Sequence, residues 1–157
     1  MSLRALPVTI LAFLLYNVVV LFSGLGGAET AADGTAVAVT DGAAAARSLL
    51  ATQIFALPML RQATWVFTWG DLILVVTMGV LFIEILKATY TSTSSLVDHG
   101  LSMVLFIAAL VEFMVVPQAA TSVFFLILIA LLIDVIAGFT IGIRVAKRDI
   151  GFGSGDN

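Results

Sequence analysis

Apolar residues run through this chain in long, nearly unbroken stretches. The hydrocarbon core of a bilayer, about 30 Å thick, takes roughly 20 apolar residues in helical form. Stretches of that length fall at about 3–25, 70–88, 97–116 and 122–143. Each holds at most one or two charged residues in its interior, and none alternates strictly as a barrel strand does, so helices are the economical reading. The expected fold class is all-α, an integral membrane four-helix bundle. It forms a single transmembrane domain over 1–150, with an outer loop at 26–69 and a flexible tail at 151–157.

The first stretch has two readings. Arg4 precedes the apolar run, and Ser23, Gly24, Gly26, Gly27 and Ala28 are small enough for a cleavage site, as in a signal peptide. The run is also long enough to span, which favours an uncleaved signal anchor. Orientation follows from the basic residues. With a cytoplasmic N-terminus, Arg4, Lys87, Arg144, Lys147 and Arg148 lie inside and only Arg47 and Arg61 outside. This predicts N-in, C-in. Trp65 and Trp69 then stand at the outer interface as amphipathic anchors, with Glu29, Asp33, Asp41 and Asp71 on the same side.

Between the first two spans, residues 35–40 alternate like a short strand between turn signals at Asp33-Gly34 and Asp41-Gly42. From 43 to 57 the spacing becomes helical. Leu50, Ile54 and Leu57 form a stripe, with Arg47, Ser48 and Gln53 off it, and Pro58 ends the run. This predicts an interfacial helix on the outer face, capping the bundle or docking a partner. The Thr- and Ser-rich inner loop at 89–96 is short enough to make the second and third helices antiparallel neighbours. Pro117 and Gln118 make the outer turn before the fourth span.

Composition agrees with the pattern. Of 157 residues, 61% are hydrophobic and 11% charged, against about 45–50% and about 25% in an ordinary soluble domain. Mean hydropathy is +1.18 and formal net charge −3. Seven scattered Lys and Arg make no nucleic-acid surface. The absence of cysteine excludes disulfides, thiolate metal sites and a thiol nucleophile within this sequence. One histidine excludes a three-His metal site, the acids lack the Glu-x-x-His repeats of a carboxylate-bridged centre, and no phosphate-loop, nucleophile-elbow or zinc-protease motif occurs. Ser102 lies one turn after Asp98 and near His99, but no oxyanion donors accompany it. The expectation is no metal, no cofactor and no enzymatic activity.

The informative residues are acids inside the apolar runs. An ionisable side chain there costs at least about 2.5–3.5 kcal/mol, so Glu84, Glu112 and Asp134 each need a partner, a cavity or a proton. At about 1.5 Å per residue, Asp134 lies roughly 18 Å and Glu84 roughly 21 Å below the outer surface. Both helices run inward, so these carboxylates stand at one level. Lys87, three residues after Glu84, can pair with it, and Asp98 and His99 open the third span on the same side. Glu84, Lys87, Asp98, His99 and Asp134 thus form a candidate inner polar cluster. Glu112 and Gln118 belong near the outer surface. Ala130, Asp134 and Gly138 recur every four residues as a helix-packing stripe, and Asn17 is placed for a crossing hydrogen bond.

The segments from Asp98 to Phe113, Pro117 to Phe125 and Asp134 to Phe139, with the preceding Glu84-Ile-Leu-Lys87, resemble a group of small uncharacterised bacterial inner-membrane proteins with four spans. The resemblance covers about residues 84–148. It implies a bacterial four-span inner-membrane protein and carries over no activity. The function expected is a non-catalytic accessory or scaffold subunit of a larger inner-membrane complex, or a homo-oligomer. Its partners would be the lipid bilayer and other membrane subunits or copies of itself. The alternative is a small proton or cation channel or transporter using Glu84 and Asp134, with His99 as relay.

Overall fold

The computed structural model describes residues 6–24, 28–30, 36–38, 42–89 and 95–152, and within them the side-chain surroundings at 6–20, 42–89 and 100–143. The described chain is mostly helical. Helix α1 spans Ile10–Gly24, α2 Gly42–Leu50, α3 Trp69–Thr89, α4 Ser95–Val115 and α5 Ser122–Phe152. Strands β1 (Ala28–Thr30) and β2 (Ala36–Ala38) pair antiparallel, and so do β3 (Gln53–Pro58) and β4 (Thr64–Thr68).

Among the described residues, α3 and the 122–143 part of α5 are long and apolar enough to cross a membrane. Only 28% and 39% of their most apolar windows are buried within the molecule. A core helix of a soluble protein would hide those residues. Here Val75, Met78, Phe82 and Ile83 of α3 and Phe125, Leu126, Ile133 and Ile136 of α5 face outward.

The expected first span at 3–25 is shorter in its described part, because helical structure begins only at Ile10. Pro7 lacks an N–H and disfavours helical backbone at Leu6, while its carbonyl accepts from Ile10 N at 3.2 Å and opens the first turn. The resulting 15-residue helix reaches about 22 Å. Residues 90–94 of the expected inner loop and 153–157 of the expected tail lie outside the described residues. Gly151 and Phe152, expected in the tail, belong to α5.

The expected interfacial helix over 43–57 is corrected more deeply. Helix α2 ends at Leu50, and the next segment extends as β3. Ile54 and Phe55 fit a pleated strand, and the run Thr64-Trp-Val-Phe-Thr68 supplies the partner. Phe55 stands opposite Phe67, and Leu57 opposite Trp65, with a bulge between Gln53 and Phe55. Arg61 and Gln62 turn the hairpin with φ of 66° and 61°, and Met59 N closes it onto Ala63 O at 2.7 Å. Trp69 N donates to Thr52 O at 3.2 Å and ties the hairpin base to the end of α2. The short strand expected at 35–40 is present in its centre as β2, with β1 as its partner.

In the bundle, α5 packs along both α3 and α4, and α1 packs on α2 and α3. The buried centre holds Tyr16, Ile73, Phe124, Ile127, Leu128 and Leu131. Phe124 meets the Tyr16 ring edge-on at 4.8 Å and stacks parallel to Phe113 at 6.2 Å. Gly70 opens α3 where a β-carbon would come within 3.0 Å of Val123 and 3.2 Å of the Leu50 carbonyl. Its missing side chain lets the end of α2 and the starts of α3 and α5 meet.

Candidate functional site

Glu84 and Asp134 are both buried, each 4% exposed, and both are directed at the beginning of α1. The Val8 N–H donates to Glu84 Oε2 at 2.6 Å. The next residue, Thr9, donates its hydroxyl hydrogen to Asp134 Oδ2 at 3.0 Å. The two carboxylates therefore hold adjacent residues. A helix start leaves its first N–H groups without intrahelical partners and carries partial positive charge, so a carboxylate there meets a donor and a favourable dipole together. The carbonyl of Thr9 meanwhile accepts from Ala12 N at 3.1 Å, continuing the turn into α1.

Lys87 joins the same arrangement. Its Nζ lies 3.3 Å from Glu84 Oε1 and donates to the Leu6 carbonyl at 3.0 Å. Glu84 thus accepts from a backbone amide through one oxygen and from an ammonium through the other. Of the five residues expected in the inner cluster, the structure gathers Glu84, Lys87 and Asp134 around residues 6–9. Asp98 and His99 fall in the first turns of α4, outside the residues whose side chains are described.

The opposite end of the bundle is polar in a different way. The Tyr16 hydroxyl donates to the Gln118 carbonyl at 2.8 Å and lies 2.7 Å from Thr121 Oγ1. Thr121 Oγ1 also accepts from Phe124 N at 3.2 Å, as a residue capping α5 does. Asn17 donates to its own helix at Phe13 O, 3.1 Å away. Glu112 and Gln118 stand at this end, half-buried. The start of α2 presses on Gln118, since a β-carbon on Gly42 would lie 2.7 Å from its amide group.

Between these ends the buried face of α5 from Thr121 to Asp134 consists of Phe124, Ile127, Leu128, Ala130 and Leu131. Thr77 on α3 is buried there too, but its hydroxyl donates to Ile73 O of its own helix at 2.7 Å. Ala130, Asp134 and Gly138 all face inward. Ser102 on α4 is buried, and its Oγ has no hydrogen-bond partner among the described residues. Counting from the Phe113–Phe124 contact along antiparallel helices, Ser102 and Asp134 each lie about 15–17 Å away, on one level. Among the described residues no three His, Asp or Glu side chains converge as metal ligands would.

Trp65 and Trp69, expected as interfacial anchors, are both exposed at the α2 end. Trp65 belongs to an aromatic face on the hairpin, where Phe55 and Phe67 stack at 4.7 Å and Trp65 meets Phe67 edge-on at 5.6 Å. The opposite face carries Ala56 and Val66. Ile54, Phe55, Leu57, Met59, Trp65 and Val66 are all exposed, and Leu60 at the tip is 94% exposed. Sequence periodicity missed the hairpin, Thr9 and Tyr16. The signal available was Thr68-x-x-Asp71, a capping box that announces the start of α3. In it Asp71 Oδ2 accepts from Thr68 N at 2.9 Å, and Asp71 N donates to Thr68 Oγ1 at 3.2 Å.

Compared with family models, with curated proteins and with solved structures, the chain matches none.

Proposed function

We propose that this protein is a non-catalytic accessory or scaffold subunit of the bacterial inner membrane, a four-helix N-in, C-in bundle that assembles with another membrane protein or with copies of itself. The observation that carries the reading is the exposed β3–β4 hairpin. A lone two-stranded ribbon is marginally stable in water, and this one leaves apolar side chains uncovered on both faces and at its tip. Its open edges carry backbone groups that a bilayer interior would not satisfy, so a protein surface beside the membrane suits it. The apolar exterior of the helices supports the membrane setting. Counting α1 and α4 as spans rests on the sequence pattern and on their packing with α3 and α5.

The test is mild purification from the source membrane, with mass determination and identification of everything that accompanies the chain. A stoichiometric partner or a defined homo-oligomer is expected, and Leu60→Asp with Trp65→Ser should release it while the bundle stays folded. If the double variant keeps every native partner, or the wild type is a bare monomer, the reading fails.

The second reading, proton or cation conduction through Glu84 and Asp134, is favoured by the unpartnered Ser102 hydroxyl near the level of Asp134. Against it, both carboxylates are engaged at the start of α1, and the buried face of α5 between Thr121 and Asp134 is apolar. Asp134→Asn should leave proton flux into liposomes at the wild-type background. A wild-type flux above protein-free vesicles that this variant abolishes would establish conduction instead.

A further inference from the structure

A cavity of about 480 Å³ opens where α2 ends and where α3 and α5 begin. Arg47 and Asp71 both line it, with Thr68 and Ser122 adding hydroxyls and Leu50 and Leu74 an apolar wall. The volume lies in the range of small-ligand sites.

The two charges carry the argument. Arg47 and Asp71 share the cavity, yet no ion pair joins them among the described residues. Each is tethered to its own helix. Arg47 Nε donates to Ala43 O at 3.0 Å, and Asp71 Oδ2 is occupied by the Thr68 backbone and hydroxyl at 2.9 and 2.8 Å. Among the described residues, no further hydrogen bond or ion pair engages the outer guanidinium nitrogens or Asp71 Oδ1. A guanidinium matches the geometry of a phosphate, and a carboxylate matches an ammonium that still carries protons. The first turn of α5 adds backbone dipoles that favour the anionic part.

We propose that this cavity binds a zwitterion with a phosphate and a primary ammonium, the chemistry of phosphoethanolamine, with the phosphate on Arg47 and the ammonium on Asp71. The source we assign is a phospholipid headgroup. That assignment rests on the membrane reading above: α3 and α5 have spanning length, and their first residues then lie at the boundary between hydrocarbon and water. Exposed Trp69, the first residue of α3, suits the same level.

The experiment places the full chain in phosphatidylcholine nanodiscs doped with phosphatidylethanolamine or phosphatidylglycerol and counts retained lipids by native mass spectrometry. The wild type should retain phosphatidylethanolamine about tenfold over either other lipid, the size expected of one charge-assisted contact. Arg47→Gln should lower retention of both phosphatidylethanolamine and phosphatidylglycerol. Asp71→Asn, which keeps an acceptor for the Thr68 N–H, should erase the preference between those two. Equal retention of all three lipids by the wild type, or an unchanged preference in both variants, overturns the proposal. A parallel arm adds soluble phosphoethanolamine to the detergent-solubilised chain and follows the melting temperature. A rise that Arg47→Gln abolishes, with no lipid preference, keeps the binding chemistry but moves its source to solution. Failure to enter any bilayer, with no such rise, removes both the membrane reading and the site.

Discussion

Thr9 donates its hydroxyl hydrogen to Asp134 Oδ2 at 3.0 Å, joining residues 125 positions apart across the bundle. The neighbouring Val8 N–H meets Glu84 at 2.6 Å. Two acids that would be costly in an apolar interior are thereby spent on one task, holding the first turn of α1 against α3 and α5. Interhelical hydrogen bonds in membrane proteins average about 0.6 kcal/mol and reach about 1.7 kcal/mol. A double-mutant cycle of Thr9→Val and Asp134→Asn, read by reversible unfolding in mixed micelles, should give a coupling within that range. Strict additivity would show that the contact contributes nothing.

Glu84 serves two donors, so its substitutions should rank. Glu84→Leu leaves the Val8 N–H without an acceptor and removes the carboxylate beside Lys87, a loss of about 1–3 kcal/mol. Glu84→Gln keeps an acceptor oxygen for the amide and should lose less. Thermal unfolding of the three proteins checks the order, and a Leu variant as stable as the wild type would contradict it.

At the other end, Tyr16→Phe keeps the edge-on contact with Phe124 but removes the hydroxyl shared with Gln118 and Thr121. A loss of about 1–2 kcal/mol is expected, with increased hydrogen exchange concentrated at the turn around 117–121. Tyr16→Ala should cost more, because it also empties the centre of the core.

Two helical glycines should respond oppositely to alanine. Gly79 has open space where a β-carbon would sit, so Gly79→Ala should gain about 0.5–1 kcal/mol through reduced backbone freedom in the unfolded chain. Gly70→Ala should destabilise, because the new carbon would press on the Leu50 backbone and Val123. Melting temperatures of the two variants moving in the same direction would count against this packing.

The hairpin tip offers a local test. Gln62 has φ of 61°, a region that costs a non-glycine residue about 1–2 kcal/mol. Gln62→Gly should raise protection of the β3 and β4 amides against hydrogen exchange and leave the α5 amides unchanged. Unaltered hairpin protection would mean that the turn is not under this strain.

The apolar runs at 70–88 and 97–116 prefigure α3 and α4 to within one or two residues, and the fourth run begins where α5 begins. A helix satisfies its own backbone within each run, so local composition is enough to specify it. The shared level of Glu84 and Asp134 is also legible in the sequence, because rise per residue converts position into height along a helix. Their partners are not. Val8 contributes only its backbone N–H to Glu84, a donor that every non-proline residue carries, and Thr9 finds Asp134 through a packing of α1 that no spacing encodes. The same limit explains the hairpin. Leu50, Ile54 and Leu57 fit a helical stripe when read alone, and only pairing with Thr64–Thr68 turns the second half of that segment into a strand. Local composition is enough to specify the apolar helices and the height along them at which Glu84 and Asp134 stand. Tertiary structure decided what those acids hold and where the strand ribbon forms, because capping and strand pairing are completed by residues distant in the chain.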